Sequence, residues 1–192
     1  MRICVFCGAA SGKNPKFATI AHETGRFLAE RNIGVVFGGG NVGLMGALAD
    51  GALSIHGNVI GIIPEALRER ELAHSGVAEM RVTKSMHERK MLMHELSDGF
   101  IALPGGLGTF DELFESLTWM QLGYHEKPVA ILNVEHYYDP LLNMLDHAVA
   151  NGFIPAEQRA AILVDTTIPS LLEQILKFEK PHWKRWIQKS ET

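Results

Sequence analysis

The stretch FIALPGGLGTFDELFESLTW, residues 100–119, decides the fold because it joins an apolar strand to a helix through a glycine turn. The apolar run 100–103 ends at Pro104, and a helical pattern begins at Thr109. Three glycines near this junction let a ligand approach the backbone closely: Gly105, Gly106 and Gly108. Free N–H groups and the positive end of the helix dipole meet at such a turn, so we predict an anion site there, most often one for phosphate.

Outward from this stretch, strands alternate with helices along the whole chain. Continuous apolar runs predict strands at residues 2–6, 33–37, 59–63, 99–103, 128–132 and 162–164, with a short extended segment at 81–83. Helices are predicted at 16–31, 42–55, 86–96, 109–122, 138–151 and 168–178, with a short helical turn at 155–161 and an irregular or short helical segment at 65–79. Uniformly apolar strands are typical of a parallel sheet covered on both faces, so the class is α/β, a Rossmann-like doubly wound sheet. The tail with Trp183 and Trp186 is expected to lie on the surface.

The bulk composition is that of an ordinary globular protein. The 192 residues contain no linker or repeat, so we expect one domain over residues 1–192. A net charge of −4 argues against a general nucleic-acid or membrane-surface partner. No apolar run approaches the ~20 residues of a membrane span. Because the start also lacks signal-peptide features, we expect a cytoplasmic protein.

Two cysteines, Cys4 and Cys7, stand in a C-x-x-C spacing. They fall on the short apolar stretch that begins with the first predicted strand. Positions three apart in a strand point to opposite faces, so their thiols should not converge. We expect buried structural cysteines rather than a redox or metal pair.

A first glycine turn follows the second predicted strand. Gly38-x-Gly40-x-x-Gly43 opens a helix, and Glu65 lies 22 residues beyond Gly43, which nearly completes a dinucleotide-binding fingerprint. The turn follows the second strand and not the first, however, and the chain leaves little room for a separate substrate domain. Contact of Gly39 and Gly40 with a nucleotide or ribose is therefore favoured over NAD-type binding, and a purely structural turn stays open.

The second glycine turn is followed by the acidic residues Asp111, Glu112 and Glu115. Acids suit a helix N-terminus, yet they would repel a bound phosphate, so a nearby cation is needed. Arg89 and Lys90, in the first turn of the preceding helix, are the candidates. Glu112 has two interpretations: it completes a capping box with Thr109, or it faces a ligand. Glu115, on the same helical face, could form a second wall of a pocket.

The remaining polar residues suggest no other site. The nine histidines form no known metal-ligand motif, and no G-x-S-x-G elbow is present. On the predicted helix 86–96, the structural interpretation is that Met86 and Met93 pack in the core and that Arg89 and Lys90 face solvent. The functional alternative is that Met86 abuts a base while Arg89 holds a phosphate or a leaving group.

The motifs MHxRK at 86–90 and PGGxGTxxE at 104–112 resemble those of the LONELY GUY family, cytokinin riboside 5′-monophosphate phosphoribohydrolases that are often labelled lysine decarboxylases. The resemblance covers nearly the whole chain. It includes ICVFCG at 3–8, GGGNVGLMG at 38–46 and TWMQLGYHEKPVAILN at 118–133.

This resemblance implies a homodimer with active sites near its interface and hydrolysis of the N-glycosidic bond of adenosine 5′-monophosphates, with or without an N6 substituent. The products are the free base and ribose 5-phosphate, and neither a cofactor nor a metal is expected. Arg89 and Glu112 match the catalytic pair, and Glu65 matches a carboxylate used in some members. Met86 and Lys90 match substrate contacts. The residues that match the phosphate loop are Gly105, Gly106, Gly108 and Thr109.

Two alternatives remain at this point. One is a non-catalytic carrier of a nucleotide or of the molybdenum cofactor on the same fold, which would not need both Arg89 and Glu112. An NAD-dependent oxidoreductase would need tight dinucleotide binding. A lysine decarboxylase is not supported, because no lysine stands in a pyridoxal-phosphate context.

Overall fold

A single parallel sheet of seven strands runs through the computed structural model, which describes residues 1–68 and 73–179. Its strands are β1 (Arg2–Phe6), β2 (Gly34–Phe37), β3 (Val59–Pro64), β4 (Glu79–Thr83), β5 (Gly99–Ala102), β6 (Val129–Leu132) and β7 (Leu163–Asp165). They lie in the order β4-β3-β2-β1-β5-β6-β7, and every neighbouring pair is parallel. The predicted α/β class with a doubly wound parallel sheet is confirmed.

Helices connect the strands and cover both faces of the sheet. They are α1 (Lys16–Glu30), α2 (Gly43–Leu53), α3 (Glu65–Arg68), α4 (Met86–Glu95), α5 (Leu107–Leu122), α6 (Asp139–Ala150), α7 (Ala156–Ala160) and α8 (Ile168–Leu176), with a 3₁₀ turn at Val134–His136. Helix α4 begins where its capping sequence predicts, since the Ser85 hydroxyl accepts the Glu88 N–H at 3.1 Å. In the described part of the chain, no helix has the length and apolar character needed to cross a bilayer. The prediction for the tryptophan-containing tail lies outside the described residues.

Alternation along β1 divides the core into two layers. Ile3 and Val5 belong to the layer packed against α1, α2 and α8, whereas Cys4 and Phe6 belong to the layer on the opposite face. Cys7 follows the strand and belongs to the first layer, so the two thiols lie on opposite sides of the sheet. Both cysteines are free and buried, as predicted.

Most observed boundaries lie within two residues of the predicted ones, and two differences need an explanation. The extended segment predicted at 81–83 is the complete strand β4, paired with β3 over five residues. Helix α5 begins at Leu107 and not at Thr109, with Gly106 as its extended N-cap residue. Thr109 therefore lies within the first turn, where its side chain is buried against Gly105. Of the two interpretations of Glu112, the capping box with Thr109 is therefore wrong. Gly106 has the extended backbone of an N-cap residue, so the helix begins between the two glycines and not after them.

The chain direction reverses across the sheet between β1 and β5. From β1 the chain moves outward to β2, β3 and β4, and it then returns to β5 on the other side of β1. In open α/β sheets, ligands bind in the crevice outside the carboxyl ends of the strands at this point. The glycine turn of residues 104–108 follows β5 directly and therefore borders the crevice.

Candidate active site

A cavity of about 490 Å³ opens at the carboxyl ends of β1, β2 and β5. Its wall comes from the loop after β1, the first residue after β2, the first turn of α4, the β5–α5 turn and Tyr137. The lining residues that carry the later argument are Gly8, Gly38, Met86, Arg89, Gly105, Gly106, Leu107, Gly108, Thr109, Asp111, Glu112 and Tyr137.

The N-terminus of α5 forms one end of this cavity. The first N–H groups of a helix have no partner within it, and no acceptor in the described residues takes those of Leu107, Gly108 and Thr109. No atom lies within 4 Å of the place where a Cβ would stand on Gly106 or Gly108, so this end is open to a ligand. Backbone bonds hold the turn in position: Gly8 N–H donates to Pro104 O at 3.0 Å, and Leu44 N–H donates to Gly8 O at 2.9 Å. The arrangement suits an anion.

The guanidinium group of Arg89 occupies another part of the wall. The residue is only 6% exposed and has no carboxylate ion-pair partner among the described residues. Instead, its Nε donates to Ile62 O at 3.1 Å and its Nη2 to Gly38 O at 3.0 Å. Nη1 lies 3.7 Å from the Met86 sulfur, a weak acceptor. A Cβ on Gly38 would overlap Nη2, so the glycine after β2 leaves the space that the guanidinium needs.

Glu112 lies one turn into α5 and faces the same cavity. Among the described residues, none donates a hydrogen bond to its carboxylate. Burial raises the pKa of Glu112 against the attraction of Arg89, and the neighbouring Asp111 raises it further, so that the pKa is about 7. A carboxyl with this pKa can exchange a proton near neutral pH.

Lys90 connects the two helices that carry Arg89 and Glu112. Its ammonium lies 3.1 Å from an Asp111 oxygen and 3.0 Å from a Glu115 oxygen, and its side chain is 12% exposed. Burial alone would lower the pKa of Lys90, but the bonds to Glu115 and Asp111 outweigh it and raise the pKa. Lys90 therefore neutralises two of the acids that the sequence placed beside an anion site.

A buried hydrogen bond between α4 and α5 lies behind this pair. The ring of His94 contacts the Ser116 hydroxyl through Nε2 at 3.1 Å, and that hydroxyl donates to Glu112 O at 2.7 Å. Because Ser116 gives its proton to the carbonyl, His94 must donate, which leaves its buried Nδ1 without a partner in the described structure. Burial lowers the pKa of His94 to about 3, so the ring stays neutral. Neither residue was singled out from the sequence, because a lone serine and a scattered histidine carry no motif.

The structure brings most of the predicted site residues together. Arg89, Glu112 and Met86 line the cavity with the four residues expected in the phosphate loop: Gly105, Gly106, Gly108 and Thr109. Lys90 and Glu115 do not line it and are paired with each other.

Three other predicted residues lie outside the cavity wall. Gly39 has φ +80 and packs near Ile63, while Gly40 forms an isolated bridge with Ala73. Glu65, in the first turn of α3, is exposed and pairs with Arg68 at 3.1 Å. In the first glycine turn it is Gly38 that borders the cavity.

The wall also contains parts that could not be picked out from the sequence, among them the loop 7–12 after β1 and Tyr137. The loop carried a weak signal, since it is polar and follows the first strand. The loop lies at the crevice because β1 and β5 are neighbours in the sheet. The sequence does not reveal this strand order. Tyr137 has no local signal, because its partner lies 32 residues earlier.

These features define a Rossmann-like α/β protein with a candidate anion site, and with Arg89 and Glu112 on one cavity, at its switch point. Comparison with known proteins is consistent with this class. A family model described as "Possible lysine decarboxylase" matches residues 45–175. A probable cytokinin riboside 5′-monophosphate phosphoribohydrolase LOGL1 of Oryza sativa subsp. japonica is 46% identical over 181 residues, which are 94% of this chain and 81% of the relative.

A bacterial relative and a solved structure extend the comparison. The cytokinin riboside 5′-monophosphate phosphoribohydrolase of Rhodococcoides fascians is 46% identical over 174 residues, or 90% of this chain and 88% of its own. The chain belongs to this phosphoribohydrolase family, the LONELY GUY family. The molybdenum cofactor binding protein of Rippkaea orientalis superposes with a TM-score of 0.68 at 24% identity, over 92% of this chain and 94% of its own, which establishes a shared fold.

The raised pKa of Glu112 makes a prediction about stability. Between the ordinary pKa of 4.5 and the folded value of about 7, the folded protein holds a proton that the unfolded chain has released. This residue therefore lowers stability as the pH rises through that window. Glu112→Gln should raise the free energy of unfolding by on the order of 1–3 kcal/mol at pH 8 and by much less at pH 5.

Urea denaturation at the two pH values measures this difference. Glu157→Gln, which changes an exposed carboxylate in α7, serves as the matched control and should have the same small effect at both values. A gain for Glu112→Gln that is equal at pH 5 and pH 8 would mean that the carboxyl is not perturbed.

Proposed function

We propose that this protein hydrolyses the N-glycosidic bond of adenosine 5′-monophosphates, including N6-substituted cytokinin nucleotides, and releases the free base and ribose 5-phosphate. The observation that carries the proposal is one cavity in which an open helix N-terminus, a buried guanidinium and a carboxyl of raised pKa converge. The relatives named as phosphoribohydrolases, at 46% identity over most of the chain, support the same reaction.

The order of the strands suggests how the nucleotide lies. Helix α5 begins shortly after β5, whereas Arg89 is held by the carbonyls of Gly38, directly after β2, and Ile62, in the second half of β3. Strand β1 separates β5 from β2, and at about 4.8 Å per strand spacing the two ends are roughly 10 Å apart. A nucleoside 5′-monophosphate can span that distance. We place its phosphate on the α5 N-terminus, its ribose beside Glu112 and its base toward Arg89 and Met86.

This orientation gives each charged group a chemical role. Breaking the bond between C1′ and the base nitrogen builds positive charge on the ribose, and the Glu112 carboxylate stabilises that charge. The carboxylate then accepts a proton from the water that adds to C1′. Negative charge develops on the departing base, and the guanidinium of Arg89 offers hydrogen bonds to it. The base then takes up a proton from solvent, and Glu112 returns the proton of the water to solvent, so that one water is added across the broken bond. Binding of the remote phosphate holds the nucleotide in the cavity in the ground state and in the transition state alike.

The site chemistry also separates this proposal from two alternatives. A decarboxylase that used a Schiff-base lysine would need an unpaired amine in the cavity. No lysine of the described residues lines it, and Lys90 is held by two carboxylates. The likeness to the molybdenum cofactor binding and carrier proteins, at 20% to 24% identity, carries only the fold. A carrier would have no use for a carboxyl of raised pKa facing a guanidinium.

A homodimer is part of the proposal. The outer face of α5 presents apolar side chains along a shallow groove that shares Leu107 with the catalytic cavity. Leu107 is 86% exposed and Phe114 is 37% exposed, which is unusual for large apolar residues next to an active site. A second copy of the chain on this face would bury them and place the interface beside the cavity.

An assay of base release tests the reaction. Purified protein is incubated with adenosine 5′-monophosphate or isopentenyladenosine 5′-monophosphate, and the products are separated by liquid chromatography. We expect free base and ribose 5-phosphate from the wild type. Because Gln lacks the charge, we expect a fall in kcat of about 100-fold or more for Glu112→Gln. A folded Glu112→Gln protein with the wild-type rate would remove Glu112 from the mechanism, and a wild type that cleaves no nucleotide would favour the carrier.

Sedimentation equilibrium tests the dimer. The wild type should sediment with about twice the mass of the 21.2 kDa chain. Phe114→Asp places a charge on the proposed interface and should shift the mass toward one chain. Phe153→Asp, which changes an 84% exposed phenylalanine elsewhere, is the control and should leave the dimer intact. A wild-type mass of one chain would contradict the proposal.

A further inference from the structure

Two adjacent tyrosines contact the backbone that carries the anion turn. Tyr137 donates its hydroxyl to Gly105 O at 2.5 Å, and Tyr138 donates its hydroxyl to Leu103 O at 2.7 Å. Both carbonyls lie in the segment that leaves β5 and enters α5. The two tyrosines differ in one respect: Tyr137 lines the cavity, whereas Tyr138 is 1% exposed and does not.

The segment before these tyrosines has a strained backbone. Glu135 and His136 have φ values of 49 and 58, a left-handed conformation that disfavours residues with a side chain. A buried side chain holds the end of the turn in place, since Asn133 accepts the Tyr138 N–H at 2.7 Å and donates to Asp139 at 2.7 Å. Such strain persists only where the surrounding contacts determine the conformation. In this conformation both tyrosine hydroxyls reach the β5–α5 segment.

The ring of Tyr137 is also held in position. It packs edge-on against Phe17 with ring centres 5.8 Å apart, and against Tyr138 with centres 5.0 Å apart. Perpendicular aromatic pairs of this kind are favourable, and they restrict the side chain to one orientation. The hydroxyl therefore meets the Gly105 carbonyl without further adjustment.

Among the described residues, the carbonyl of Gly105 and the N–H of Gly106 have no hydrogen-bond partner other than the Tyr137 hydroxyl. Gly105 and Gly106 have no side chains, and the Gly106 N–H donates to no acceptor in the described structure. In a planar trans peptide the carbonyl and the following N–H point in opposite directions. A hydroxyl that fixes the Gly105 carbonyl thus also fixes the direction of the Gly106 N–H. That N–H stands at the open end of the cavity, beside the first N–H groups of α5.

Tyr137 is not itself a donor to the bound anion. Its single hydroxyl proton goes to Gly105 O, so only lone pairs remain to face the cavity, and these would repel a phosphate. Its effect on a ligand must therefore pass through the peptide that it holds.

We propose that Tyr137 is a positioning residue that orients the Gly105–Gly106 peptide toward the 5′-phosphate of the substrate, so that the cavity selects phosphorylated nucleosides. The inference rests on the proposed function for the identity of the substrate. The new element is that affinity for the phosphate depends on the hydroxyl of Tyr137, which lies in the segment after β6. The phosphate is bound equally in the ground state and the transition state. Loss of the peptide orientation therefore raises KM and leaves kcat unchanged.

The test compares Tyr137→Phe with Tyr138→Phe. Both variants remove one hydroxyl bonded to a carbonyl of the same segment, so a merely structural role would affect them alike. We expect Tyr137→Phe to raise KM for adenosine 5′-monophosphate about tenfold and to weaken inhibition by ribose 5-phosphate by the same factor. Tyr138→Phe should change neither constant, although it is expected to lower the melting temperature.

Three results would overturn the proposal: an unchanged KM in Tyr137→Phe, an equal rise in Tyr138→Phe, or a loss of kcat at constant KM. If the wild type cleaves no nucleotide, the proposed function fails, and calorimetric binding of ribose 5-phosphate still tests the positioning role. Equal affinity of the wild type and Tyr137→Phe, or no binding by the wild type, would then refute it.

Discussion

The guanidinium of Arg89, held by the carbonyls of Ile62 and Gly38, is the interaction on which the candidate site depends. A cation that is 94% buried is costly unless polar groups surround it, and here the carboxyl ends of two strands provide them. The strands can do so because they are parallel neighbours and end at the same edge of the sheet. Sheet topology and a glycine after β2 thus position the guanidinium at the cavity wall.

The electrostatics of the cavity follow from this arrangement. Arg89 bonds to carbonyls and not to a carboxylate, so its charge stays available to the cavity. Glu112 is half-buried near it without an ion pair, and desolvation outweighs the attraction enough to bring the pKa of the carboxyl to about 7. Lys90 meanwhile neutralises Asp111 and Glu115, which would otherwise repel a phosphate at the α5 N-terminus. The proposed substrate carries a fixed negative charge at one end and develops a positive charge at its ribose, and the cavity offers a partner for each.

Local patterns in the sequence predicted most of the fold. Every strand except the full length of β4 stands out as an apolar run, because strands buried on both faces admit few polar residues. Strand β4 has an exposed, charged pattern and was reduced to a short extended segment, since it lies at the edge of the sheet. The start of α5 was misplaced by two residues because glycines ordinarily interrupt a helix, whereas here one of them caps it. The roles of Arg89 and Glu112 came from resemblance, and their convergence on one cavity came from the structure.

Contacts between distant segments could not be predicted from the sequence. The ion pairs of Lys90, the His94–Ser116 bond and the contact of Tyr137 with Gly105 each join residues 21 to 32 positions apart. No spacing rule connects such residues, because the sheet order that brings them together is a property of the whole chain. The same reason explains why the loop after β1 was not selected and why Gly39, Gly40 and Glu65 were selected but lie outside the cavity wall.

A crystal structure of Glu112→Gln with adenosine 5′-monophosphate bound tests the account most directly, since this variant should hold the nucleotide without cleaving it. We predict the phosphate on the N–H groups of Gly106, Leu107 and Gly108, C1′ of the ribose beside residue 112, and the base toward Arg89. A nucleotide bound in the reverse direction, with its phosphate on Arg89 and its base at the α5 N-terminus, would contradict the account.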